Sequence, residues 1–187
     1  MGEIKSAWEI AQEKANKLGE LSPEERQKQR QDRCRPIGQS LAEKYLSQYD
    51  SQYLQAELNK YDSEDRELIS RAALQRLVER IDLGYGPILD KIGQGILSLA
   101  NTRAVAETVG KIKELSDEYR EAEELVRQEI EGAGREMLHQ LRISGTAISH
   151  VNIQAKEEWQ KKIRQLTQPF QERLDTLKRE LLDSTPV

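Results

Sequence analysis

The chain has 187 residues, of which 33% are charged and 36% hydrophobic, with a net charge of −4. Ordinary globular domains carry roughly 25% charged residues, so this composition argues against one thick apolar core and suits thin helical layers, while the negative balance makes the whole chain a poor ligand for polyanions. The single cysteine, Cys34, excludes an intrachain disulfide, and no apolar run approaches the roughly 18–20 residues of a membrane span, so the expectation is a cytoplasmic protein that makes no membrane contact.

In chain order, residues 3–18 read as a short amphipathic helix. Ile4, Ala7, Trp8, Ala11, Ala15 and Leu18 share a face, and Gly19 is a natural stop. Ser22-Pro23-Glu24-Glu25 starts the next helix: Ser caps it, Pro takes the first position and Glu25 closes a capping box. That helix runs to about Cys34 and has almost no apolar face, which predicts solvent exposure. Arg26, Lys28, Arg30, Arg33 and Arg35 against Asp32 make it basic. Such a helix can lie on nucleic-acid phosphates, but no aromatic interrupts it to stack on bases. A solvated helix, or one docked on the acidic hairpin formed by the chain's long C-terminal helices, is the favoured reading. Arg33 and Arg35 flank Cys34 and would favour its thiolate, which allows a redox-sensitive thiol, but an incidental exposed cysteine is the favoured reading.

Pro36 is expected to separate this helix from another ending near residue 48. Tyr49-Asp50-Ser51 and Tyr61-Asp62-Ser63 then place cap-forming residues ahead of helices over about 52–60 and 64–82. Tyr45, Tyr49, Tyr53 and Tyr61 read as a core rim with hydroxyls reaching water. Residues 84–102 are the least polar stretch, with Gly84, Gly86, Gly93 and Gly95 among Ile88, Leu89, Ile92, Ile96, Leu97 and Leu99. They read as a buried helix or junction whose glycines allow close approach. The Gly93–Gly95 pair lacks the remaining parts of a phosphate-binding loop.

Residues 103–143 read as one long helix with an apolar seam through Val105, Val109, Ile112, Leu115, Tyr119, Ala122, Val126, Ile130, Ala133, Met137 and Leu141. A loop over 144–154 leads to a helix over about 155–183. In that helix Trp159, Ile163, Leu166, Phe170, Leu174, Leu177 and Leu181 recur at spacings of 4, 3, 4, 4, 3 and 4, an eleven-residue repeat that offers one narrow stripe to a partner helix. Pro169 interrupts the helix without breaking the register of the stripe. Folding the two long helices antiparallel about residue 149 sets Ile163 against residues 133–137 and Leu181 near Leu115. The acids of 114–131 then face Lys161, Lys162, Arg164, Arg173, Lys178 and Arg179. Leu125, Leu138 and Leu182 are left over for a second contact.

No catalytic constellation stands out. Glu136 and His139 share a helix face, but a di-iron site needs a second such motif and further carboxylates. No Cys/His cluster has zinc spacing, and nothing brings Cys34 to a histidine. No cofactor is expected.

The run Glu3-Ile4-Lys5-Ser6-Ala7, Glu9-Ile10-Ala11, Glu13-Lys14-Ala15 and Leu18-Gly19, through Ser22-Pro23-Glu24-Glu25, resembles the start of a family of small bacterial helical proteins of unknown function. The resemblance covers about the first twenty-five residues. It implies a bacterial cytoplasmic protein and carries no activity or site residues.

These readings give an all-α chain in three parts: short helices over 1–83, an apolar glycine-containing junction over 84–102, and a long antiparallel, coiled-coil-like hairpin over 103–187. The expected function is a non-enzymatic interaction or scaffold role through the Trp159–Leu181 stripe, by self-association or by docking a protein partner. The alternative is a nucleic-acid or ribosome-associated factor using the basic helix 26–35.

Overall fold

In a computed structural model of the chain, residues 22–84, 86–140 and 157–185 are described. Among them all regular structure is helical: α1 (Pro23–Gln48), α2 (Ser51–Leu58), α3 (Ser63–Glu79), α4 (Gly86–Leu99), α5 (Arg103–Gln140) and α6 (Glu157–Asp183). None of these helices is long and apolar enough to cross a membrane. The helix expected over 3–18 and the loop expected over 144–154 lie outside the described residues.

The start of α1 is the expected capping box. Ser22 Oγ accepts from the Glu25 amide at 3.1 Å, and the Ser22 amide donates to the Glu25 carboxylate at 2.8 Å. One expectation for this helix fails: Pro36 does not divide it. The stretch before Cys34 is exposed as expected, apart from the half-buried Arg30, and burial begins at Cys34 and continues along one face through Gly38, Leu41, Ala42 and Tyr45. Proline inside a helix costs about 3 kcal/mol. Burial on both sides of Pro36 holds the helix through it. Leu41, Tyr45 and Tyr49 at i, i+4 and i+8 are legible in the sequence, but the extension of the face back to Cys34 is not, because Cys, Gly and Ala do not register as an apolar stripe.

That face packs on α3. Arg30 and Arg33 meet Asp65, Gly38 meets Ala72 and Ala73, and Glu43 meets Arg76, so α1 and α3 run parallel and α2 connects them. Asp50 caps α2 through the Gln52 and Tyr53 amides, and Asp62 caps α3 through the Asp65 amide. The crossing is close because Gly38 has no side chain. A methyl there would run into the Ile69 carbonyl and stand 2.6 Å from Ala72 Cβ.

The apolar stretch forms α4, with Leu89, Ile92, Gly93, Gly95 and Ile96 buried. Its glycines serve close approach, as expected. A methyl on Gly95 would lie 2.8 Å from Tyr45 Cζ, and one on Gly93 3.0 Å from Val109. Tyr45, expected at the rim, is 1% exposed, and its hydroxyl donates to the Lys91 carbonyl at 2.6 Å. Tyr49, Tyr53 and Tyr61 are half-buried against the core. Tyr49 ends α1 in the left-handed region (φ 55°), and its ring packs edge-on against Tyr45 with Lys91 Nζ 4.6 Å from its centroid.

One contiguous core runs from Cys34 and Leu41 on α1 through Ile69 and Leu77 on α3 and Ile92 and Ile96 on α4 to Ile112 and Leu115 on α5 and Leu174 and Leu181 on α6. Thr102 opens α5 by accepting from the Val105 amide. The contacts of α5 with α6 run in opposite chain senses: Glu129 pairs with Lys162 at 2.8 Å, and Glu118 with Arg173 at 2.9 Å. The expected register would have put residue 136 beside Lys162 and residue 125 beside Arg173. Both contacts fall two helical turns nearer the start of α5. A two-turn slip preserves the facing stripes, so the stripe alone does not fix the register. What fixes it is the end of α6, where Leu174 and Leu181 enter the common core beside α3.

Candidate interaction surfaces

The α6 stripe divides into two parts. Leu174 and Leu181 are fully buried, and Leu166, Phe170 and Leu177 pack half-buried against the same core. Phe170 meets Tyr119 edge to face (centroids 5.4 Å apart), and the Tyr119 hydroxyl lies 3.2 Å from Thr167 Oγ1. Trp159 and Ile163 are also half-buried but lie outside that cluster. On α5, Ile130 is buried but likewise outside it. The outer half of the α5–α6 pair therefore reaches past the common core, and each helix there relies on the other. Leu125 is 67% exposed on that half, and Met137, expected on the seam, is 60% exposed because α6 lies two turns nearer the start of α5 than expected. Leu138 is half-buried, and Leu182 packs against the core rather than remaining free.

Charge is unevenly spread on the same half. Glu121 on α5, and Lys161 and Arg164 on α6, make no ion pair among the described residues, although Glu129 is taken by Lys162, Glu124 by Arg127 and Glu131 by Arg135. An acidic helix thus lies beside a basic one.

The basic helix is partly engaged. Arg30 lies 2.9 Å from Asp65 Oδ1 and also contacts Glu64, and Arg33 meets Asp65 at 2.6 Å. The acids it docks on belong to the first turn of α3, where negative charge also complements the helix dipole; they are not those of the long acidic helix. Arg26, Lys28 and Arg35 sit on exposed positions of α1. Cys34 between them is 1% exposed. Burial pushes its thiol above the ordinary range and the Asp65 carboxylate adds to this, outweighing Arg33. The expectations of an exposed cysteine and of a thiolate favoured by flanking arginines are both reversed, because the side chain points into the core rather than towards its neighbours in sequence.

Among the described residues no group of three His, Cys, Asp or Glu side chains is placed to hold a metal ion. Glu136 and His139 both stand exposed on α5. Sequence reasoning missed the α1–α3 seam and the ion-pair cluster on it, where Glu43 also accepts from Arg76 at 2.8 Å and Arg80 at 3.1 Å. The signal available was the spacing 34, 38, 41, 42, 45 of small and apolar residues. Compared with family models, with curated proteins and with solved structures, the chain matches none.

Proposed function

We propose that this chain is a non-enzymatic helical interaction protein of the cytoplasm, and that α5 and α6 act as a coiled-coil-type hairpin that packs on further helices. The observation that carries this reading is the outer half of the pair, which projects beyond the common core with Leu125 and Met137 exposed and Trp159 and Ile163 only half-covered. Two helices alone cover one side of each other, and a second pair completes a bundle. The favoured occupant is a second copy of the chain. An antiparallel copy sets the acidic α5 of one molecule, with its Glu121 unpaired among the described residues, on the basic α6 of the other, with its Lys161 and Arg164 likewise unpaired, whereas acid-on-acid pairing is disfavoured.

The test is co-purification of two differently tagged copies of the chain. The wild-type copies retain each other, and the double substitution Leu125→Glu with Met137→Glu abolishes retention without lowering helix content. Equal retention by the variant, or no retention by the wild type, contradicts the reading. A nucleic-acid role for the basic helix is weaker, because Arg30 and Arg33 already hold the start of α3.

A further inference from the structure

The arginines of α1 and α3 are not used alike. Arg30 and Arg33 hold the carboxylates at the start of α3. Arg66 caps the Leu58 and Tyr61 carbonyls. Arg76 and Arg80, which follows α3, clamp Glu43. Arg35 and Arg71 have no such partner among the described residues. Asp32 and Glu67, each within about one turn of one of them, make no ion pair with either. Glu79, near the end of α3, is taken by Arg76.

These two arginines lie together. Gln31, Arg35, Leu68, Arg71, Ala72 and Gln75 line one groove along the α1–α3 seam. The groove is predominantly polar, and no carboxylate lines it. The two helices are locked in parallel beside it by the Gly38 crossing, so Arg35 and Arg71 are presented from opposite walls by rigid elements rather than by loops. Two guanidinium groups on facing walls of a groove that no carboxylate lines repel each other, and an oxyanion between them relieves that repulsion. Each guanidinium offers a planar fork of N–H donors that matches two oxygens of a phosphate, and the two glutamine amides add neutral donors.

We infer that this groove is a binding site for a small phosphate-bearing ligand, gripped between Arg35 and Arg71 with Gln31 and Gln75 at its edges. The small ligand is favoured over a nucleic-acid strand on two grounds. The net charge of the chain is −4, which repels an extended polyanion. The basic track along α1 is also interrupted where Arg30 and Arg33 are neutralised by α3.

The experiment is a titration of the full chain with inorganic phosphate, followed by phosphorus NMR line broadening, on the wild type and on Arg35→Ala, Arg71→Ala and Arg103→Ala. Arg103 is the control: it is highly exposed at the start of α5 and pairs with Glu107. All four proteins are expected to melt alike, since the substituted side chains are exposed. The wild type and Arg103→Ala broaden the phosphate line equally. Arg35→Ala and Arg71→Ala each weaken binding by about tenfold or more, the scale of a lost charge-assisted hydrogen bond. Absence of broadening in the wild type overturns the proposal, as does equal broadening by all variants. Binding of a short single-stranded RNA that is lost in both variants, without phosphate binding by the wild type, would assign the groove to a polymer and likewise overturn it.

Discussion

Single residues decide how closely these helices approach. Gly38 is the sharpest case, because a methyl there meets the Ile69 backbone carbonyl as well as Ala72 and Ala73, and backbone cannot rotate away. We expect Gly38→Ala to destabilise the fold by about 1–3 kcal/mol through overpacking. Gly110 is the internal contrast. It sits within α5, and a methyl on it would meet nothing within 4 Å, so Gly110→Ala should stabilise by about 0.5–1 kcal/mol through helix propensity alone. Urea unfolding of both variants reads the two signs, and a neutral Gly38→Ala would show that the α1–α3 crossing has room to give. Cys34 belongs to the same scale. Its neighbours in sequence are cationic, yet its neighbours in space are the core and Asp65, and the spatial set governs the thiol.

Among the elements, α1 shows most clearly what sequence patterning conveys and what it conceals. The capping box at Ser22–Glu25 and the Asp caps of α2 and α3 are readable, because capping is a local hydrogen-bond requirement met by neighbouring residues. The passage of α1 through Pro36 is not, because the compensating burial comes from α3, more than thirty residues away in sequence. For the long helices the stripe conveys the partner and the face but not the register, which rests on Leu174 and Leu181 entering a core shared with α3. Nor is the Arg35–Arg71 groove readable, since it joins one residue from each of two helices that lie in separate segments of the sequence.

The α1–α3 seam also carries a pH signature. Hydrogen bonds from Arg76 and Arg80 hold the Glu43 carboxyl below its usual range. A carboxyl lowered in the folded state contributes stability above its unfolded value, and the contribution is lost as pH falls through the folded one. The side chain is 43% exposed, so solvent screening keeps the effect modest. We expect Glu43→Gln to be less stable than wild type near neutral pH, with the difference shrinking from about pH 5 downwards. A difference in urea midpoint that does not change with pH would contradict this role.

At the scale of the whole molecule, α1–α4, the first part of α5 and the end of α6 share one core, and the outer half of the α5–α6 pair extends beyond it. At about 1.5 Å per residue, α5 is on the order of 57 Å long over its 38 residues. The outer part of that length lies beyond the core with apolar surface exposed, which a second helical pair would cover. The measurement that tests this most directly is absolute mass by light scattering, across protein concentration and from ~50 mM to ~1 M salt, a range that progressively screens surface charge. A species heavier than the 21.5 kDa chain that persists at high salt is expected, because apolar contacts supply most of its stability. A mass of 21.5 kDa at every concentration and salt would contradict it.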